Sequence, residues 1–94
     1  MIFSDAAKRD LDEIWEFSED RWNADQADRY LRSIDQAAAA LAAGRLRSRS
    51  LDFVKQGLRK ARCIRHFIYF YERPGSIRVA RVLHDQMDET LHLL

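Results

Sequence analysis

The segment His66-Phe67-Ile68-Tyr69-Phe70-Tyr71 constrains the fold more than any other stretch of this chain. Alternate side chains of a strand leave opposite faces. His66, Ile68 and Phe70 therefore point one way, and Phe67, Tyr69 and Tyr71 the other. A strand that is apolar on both faces belongs inside a sheet, with something packed on at least one side. Its neighbours lie close by in sequence. Gly57 is followed by a short basic strand, Leu58 to Cys63, and a tight turn near Ile64-Arg65. Arg73-Pro74-Gly75-Ser76 has hairpin-turn chemistry, and Ile77 to Leu83 is rich in β-branched residues. The spacing predicts a three-stranded meander that needs an apolar cover.

The first half supplies that cover. Met1-Ile2-Phe3 is a short first strand. Ser4 suits an N-cap and Asp5 the positive end of a helix dipole. Ala7, Leu11, Ile14, Trp15, Ser18 and Trp22 then recur at helical spacing, with Asp10, Asp12, Glu13, Glu16 and Glu19 mostly off that stripe. This helix is expected to end near Asp20 or Arg21, with Trp22 closing the corner. Asn23 with Gln26 resembles a capping box, and Ala27, Tyr30, Leu31, Ile34, Ala38 and Leu41 form a second stripe. Gly44 suits the position just beyond the helix end. So short a link predicts an antiparallel helical hairpin. Residues 45–56 have no period and read as a charged connector. Met87 to Leu94 reads as a short tail helix. The fold class is α+β, in the order β-α-α-β-β-β, within one domain over residues 1–94.

Charge is unevenly distributed. Residues 1–43 hold ten acidic and five basic side chains, whereas residues 45–65 hold eight basic ones and only Asp52. A basic middle points to an anionic partner, either nucleic acid or an acidic peptide; the bland alternative is a surface charged only for solubility. The single cysteine, Cys63, excludes an internal disulfide framework and suits a reducing cytoplasm. No leader and no membrane-length apolar run is visible, so a secreted or membrane protein is not expected. A 94-residue chain leaves little room for a deep cofactor pocket, so function is expected on a surface or shallow groove.

Individual side chains narrow the chemistry. Arg59, Arg62 and Arg65 surround the first hairpin, where guanidinium groups can grip carboxylates. His84, Asp85 and Asp88 lack the spaced second His or Cys of a metal set. The three isolated glycines form no phosphate-cradling loop. No cofactor is implied. Cys63 among arginines has the setting for a lowered pKa, but a packed strand cysteine is the expected role. His66 is expected to be a hydrogen-bonded part of the sheet. Trp15 and Trp22 are expected at the helix corner, or partly exposed in a groove for a partner. Met87, Leu91, Leu93 and Leu94 leave an apolar tail that wants a partner.

Taken together, Ser4-Asp5-Ala6-Ala7-Lys8-Arg9-Asp10-Leu11-Asp12-Glu13-Ile14-Trp15, Gln26-Ala27-Asp28-Arg29-Tyr30-Leu31, Gly57-Leu58-Arg59, Arg65 to Tyr71 and Arg81-Val82-Leu83-His84-Asp85-Gln86-Met87-Asp88 resemble the RelE/ParE superfamily of bacterial type II toxins, most closely its ParE branch. The resemblance implies a two-layer fold, with the helical hairpin packed on a mostly antiparallel sheet. It implies a cytoplasmic toxin wrapped by the C-terminal segment of a ParD-like antitoxin, with Trp15, Trp22, Arg59 and Arg62 as antitoxin contacts. It implies DNA gyrase as target, through Arg59, Arg62, Arg65, His84, Met87, Leu91, Leu93 and Leu94. Neither a membrane nor direct sequence-specific DNA binding by the toxin itself is implied. Relatives carry several more residues before the equivalent of Ser4, so the first strand is expected to be short.

The alternative is a RelE-like ribosome-dependent endoribonuclease. Metal-free RNA cleavage needs a base, an acid and cations for the phosphorane charge. Arg65 with His84 or His92 is the candidate set. The tail beyond Leu83 has no lysine, arginine or tyrosine, and Asp85, Asp88 and Glu89 repel phosphate, so the residues favour a toxin that breaks no bond itself. A third reading is a degenerate toxin that retains only antitoxin binding.

Overall fold

The computed structural model describes residues 1–93, so Leu94 lies outside the described residues. The elements run β1 (Ile2–Phe3), α1 (Asp5–Arg21), α2 (Ala24–Ala42), β2 (Arg49–Ser50), β3 (Leu58–Cys63), β4 (His66–Arg73), β5 (Ser76–His84) and α3 (Glu89–Leu93). The sheet order is β1-β5-β4-β3-β2, with β1 parallel to β5 and the other pairs antiparallel.

The helix ends follow their caps. Ser4 Oγ accepts from the Ala7 amide at 3.0 Å, and Asn23 Oδ1 accepts from the Gln26 amide at 2.8 Å. At the end of α2, the Arg45 amide donates to Ala40 O and the Gly44 amide to Leu41 O. That pair of bonds is a Schellman closure, which needs the left-handed residue that Gly44 provides at φ +72°. The turn between β3 and β4 is less relaxed. Ile64 sits there at φ +56°, an unfavourable region for a β-branched residue. Arg62 Nη1 donates to Ile64 O, and the Asp85 amide to Arg65 O, so the turn is held from two sides.

Strand β4 is interior, as its pattern requires. Ile68 and Phe70 join Ala7, Ile14, Ile34, Ala38 and Leu41 of the hairpin in one core cluster. The opposite face carries a second, smaller cluster of Leu51, Leu58, Tyr69 and Leu83, against which Val54, Phe67, Tyr71 and Leu93 pack. The architecture thus adds to the expected two layers. The connector and the tail form a partial third layer, because the rings of Phe67, Tyr69 and Tyr71 also need cover.

Two further differences from the sequence reading concern the connector and α1. Residues 49–50 form a strand, β2, on the sheet edge; Arg59 Nε and Nη2 donate to Ser48 Oγ and O and pin it there. Asp10, placed off the apolar stripe by the sequence reading, is buried. The cause is a β-bulge in β5. Tyr69 pairs with Arg81 but Phe70 with Val79, leaving Ala80 as the extra residue. The pairing of β1 stops at this point. Arg81 forks onto the Asp10 carboxylate with two contacts of 2.8 Å, and the Val82 amide donates to the same carboxylate at 3.0 Å. Asp10 thus covers the bulged edge of β5 and ties α1 to it.

Candidate functional site

A groove of about 710 Å³ runs between α1 and the end of the sheet. Its exposed apolar residues are Phe17, Trp22 and Met87, at 62%, 55% and 43% exposure, above buried Ile14, Val82 and Leu83. Trp22 is held as the last cap of α1, its amide donating to Ser18 O, so the indole projects from a fixed corner. The polar part carries Arg21 and Arg65 together with Tyr30 and all three histidines. Glu13 and Asp10 also line it.

Tyr30 organises the floor. Its hydroxyl accepts from the Arg65 amide at 3.2 Å and meets His66 Nδ1 at 2.6 Å. The phenol oxygen thus ties the Arg65 backbone to the His66 ring. Burial, with His84 beside it, lowers the His66 pKa to about 4, and burial raises that of Tyr30. His66 meets His84 edge to face, with ring centroids 5.3 Å apart. His84 Nδ1 accepts from the Gln86 amide at 3.2 Å. Thus His66 is the hydrogen-bonded sheet residue that was expected.

The His66 shift has a consequence for acid stability. A base with a depressed folded pKa binds its proton first in the unfolded chain, so stability is full above pH 6.5 and is lost as pH falls toward 4. The gap is worth about 3 kcal/mol for a dry site, and about 2 kcal/mol once solvent near the half-buried ring is allowed for. Urea midpoints at pH 4.5 and 7 should differ accordingly, and the His66 ring should titrate near 4 by NMR. A folded-state midpoint near 6.5 would exclude this assignment. Asp85, held below the usual carboxylate range by its bond to Arg62, acts only at lower pH.

The three hairpin arginines do not form one clamp. Arg59 faces the connector and is 3.8 Å from Glu72. Arg62 lies on the opposite face, over the Phe67 ring and 2.9 Å from Asp85. Arg65 lines the groove with His84, His92 and Met87. Trp15 is outside the groove lining, and its Nε1 donates to Asp28 across the hairpin. Leu91 is exposed, and Leu93 packs on the second cluster. Burial raises the Cys63 pKa, which fits a packed, unreactive thiol. No group of three or more metal-ligating side chains is placed to hold an ion among the described residues, and no helix there is long and apolar enough to cross a membrane.

Sequence reasoning missed Tyr30, Phe17 and Arg21 as groove residues, and missed Lys60 and Glu89. Lys60 Nζ pairs with the Glu89 carboxylate, which also accepts from Tyr69 Oη at 3.1 Å. Burial and the Glu89 charge raise the Tyr69 pKa. Glu89 was read only as a repulsive charge, and nothing in linear spacing joins it to Lys60.

Known proteins place this arrangement. Residues 1–89 match the family described as ParE toxin of type II toxin–antitoxin system, parDE. Toxin ParE1 of Mycobacterium tuberculosis is 39% identical over 88 residues, covering 93% of this chain and 90% of the relative. Toxin ParE of Escherichia coli is 33% identical over 88 residues, covering 93% and 85%. A solved structure titled as a chromosomal ParDE TA system from P. aeruginosa superposes with a TM-score of 0.71 over 87% of this chain and 90% of that one, at 18% identity. The chain belongs to the ParE toxin family of type II toxin–antitoxin systems.

Proposed function

We propose that this chain arrests growth by docking on DNA gyrase, without breaking a bond itself, and that a ParD-like antitoxin neutralises it in the cytoplasm. The observation that carries the antitoxin half is the groove beside α1. Exposed Phe17, Trp22 and Met87 next to Arg21 and Arg65 suit an amphipathic peptide with acidic residues. A segment that orders on binding needs such fixed aromatic anchors. Met87 and Leu91, both exposed on the tail, with Arg65 and His84, are the target contacts of this reading. Family membership and the absence of a complete acid–base and cation set in the tail support binding over catalysis.

A second reading keeps a specific observation in its favour. Arg65, His84 and His92 line the same groove, as an endoribonuclease would require. Induced expression in a bacterial host, with a DNA-damage reporter and message integrity followed together, separates the two. Arrest with a damage response and intact message is the expected result. Early message cleavage without damage overturns the gyrase reading, and no arrest from folded protein points to a toxin that only binds its antitoxin. For the antitoxin half, Trp22→Ala is expected to weaken antitoxin binding by about ten- to a hundredfold, the range of a central aromatic anchor. Unchanged affinity by calorimetry excludes the groove.

A further inference from the structure

The connector between α2 and β3 carries four cations that neither the core nor the groove uses. Along residues 45–49 exposure alternates. Arg45, Arg47 and Arg49 are exposed, whereas Leu46 and Ser48 are partly covered. Leu46 packs against the main core, and Ser48 holds Arg59 through its hydroxyl and its carbonyl. The arginines therefore project from a backbone that is fixed on its inner side. Lys55 adds a fourth exposed cation. Among the described residues, no ion pair engages any of the four. The one carboxylate of the segment is that of Asp52, whose Oδ1 accepts from the Gly57 amide at 2.8 Å.

Phe53 stands amid this charge and is 83% exposed. An ordered turn presents its ring. The Val54 and Lys55 amides donate to Leu51 O at 2.8 and 3.0 Å, and the Leu58 amide donates to Lys55 O at 3.0 Å. Leu51 is buried and anchors the turn in the second cluster. An unpaired base can stack on such a ring while its phosphates meet the cations. Other anionic partners fit less well. A duplex offers phosphates but keeps its bases stacked on one another, so Phe53 gains no partner. An acidic peptide offers carboxylates, but a ring so exposed is a face to stack on and not a pocket for a side chain. The hydroxyls of Ser48 and Ser50 are turned to Arg59 and to the Asp52 amide, so they are not set to read a ribose 2′-hydroxyl.

We propose that the connector binds single-stranded DNA without sequence preference, with a base stacked on Phe53 and phosphates on Arg45, Arg47, Arg49 and Lys55. None of these five residues lines the groove beside α1. The contact does not depend on gyrase being the target.

The test uses the full chain and a fluorescent oligothymidylate of about twelve nucleotides, read by anisotropy. The strand is expected to bind more tightly than a duplex of the same length, because stacking is gained only there. The logarithm of its affinity is expected to fall with the logarithm of salt at a slope of about −2 to −3, as three or four phosphate contacts on a single strand predict. Phe53→Ala is expected to weaken the strand about tenfold, within the range for one stacked base, and to leave the duplex unchanged. Phe53→Trp is expected to keep the affinity, and its added emission to fall when the strand binds. Arg47→Ala is expected to make the salt slope shallower by about 0.7. Both positions are exposed, so each variant should keep its urea midpoint. Equal or tighter binding of the duplex, or indifference to Phe53→Ala or to Arg47→Ala, overturns the proposal. No binding at low salt also overturns it, and means that the cations serve solubility alone. Tighter binding of oligouridylate or of polyglutamate overturns it in favour of RNA or of an acidic peptide.

Discussion

Asp10→Ala is expected to cost about 3 kcal/mol of folding stability, the lower end of the range for removing one partner of a buried ion pair. Three donors lose their acceptor at once: Arg81 Nε, Arg81 Nη2 and the Val82 amide. The lower end applies because the Arg81 side chain is 27% exposed, so water recovers part of its charge, whereas Asp10 is nearly enclosed. For a chain of this length the melting temperature should drop by roughly 15 °C. The double variant Asp10→Ala/Arg81→Ala should recover part of the loss, since the stranded charge is gone, but the Val82 amide remains unsatisfied. Urea denaturation of the four chains measures the coupling. A loss below about 1 kcal/mol for the single variant would show that water replaces the carboxylate at the bulge.

Phe70→Ala should cost about 3–5 kcal/mol, through lost burial and the cavity left behind. Phe70 is 2% exposed in the central strand and belongs to the cluster that joins the sheet to both helices. The cluster draws on both long helices and on β3, β4 and β5, so collapse into the space requires a helix to move against the sheet. Phe53 provides the contrast within the same molecule. It is 83% exposed, and Phe53→Ala should change stability by less than about 0.5 kcal/mol. Both figures come from the same chemical truncation, so their difference reads position alone. Similar losses at the two sites would mean that Phe53 packs in solution as the structure does not show.

Apart from β2, which lies in a connector without a period, the strands and helices were legible because each carries a local signature. The alternation through His66 to Tyr71, the caps Ser4 and Asn23, and Gly44 beyond α2 each state their role within a few residues. Asp10 was legible in part. It lies three residues after Ala7 and four before Ile14, which is stripe spacing, but its charge argued for solvent. What brings it inside is Arg81, 71 positions away, and the bulge that aims that residue. The groove was less readable. Trp22, Arg65, His84 and Met87 were singled out, yet Tyr30 and Phe17 join them only because α1 crosses the end of β5. Pairings such as Lys60 with Glu89 depend on where the tail turns after His84, and side-chain spacing along the chain carries no information about that.

The parallel ladder of β1 with β5 also sets an order of events during synthesis. Residues 2–3 find their partners at 78–79, and the caps on Ala80 and Val82 span more than 70 positions. Contacts that distant form late, since the loop they close must first be paid for in entropy. The helical hairpin leaves the ribosome long before β5 exists, with its sheet-facing stripe bare. The nascent chain is therefore inert as a folded toxin until the last quarter of it has emerged, and a partner already present in the cell meets a hairpin before it meets a complete molecule.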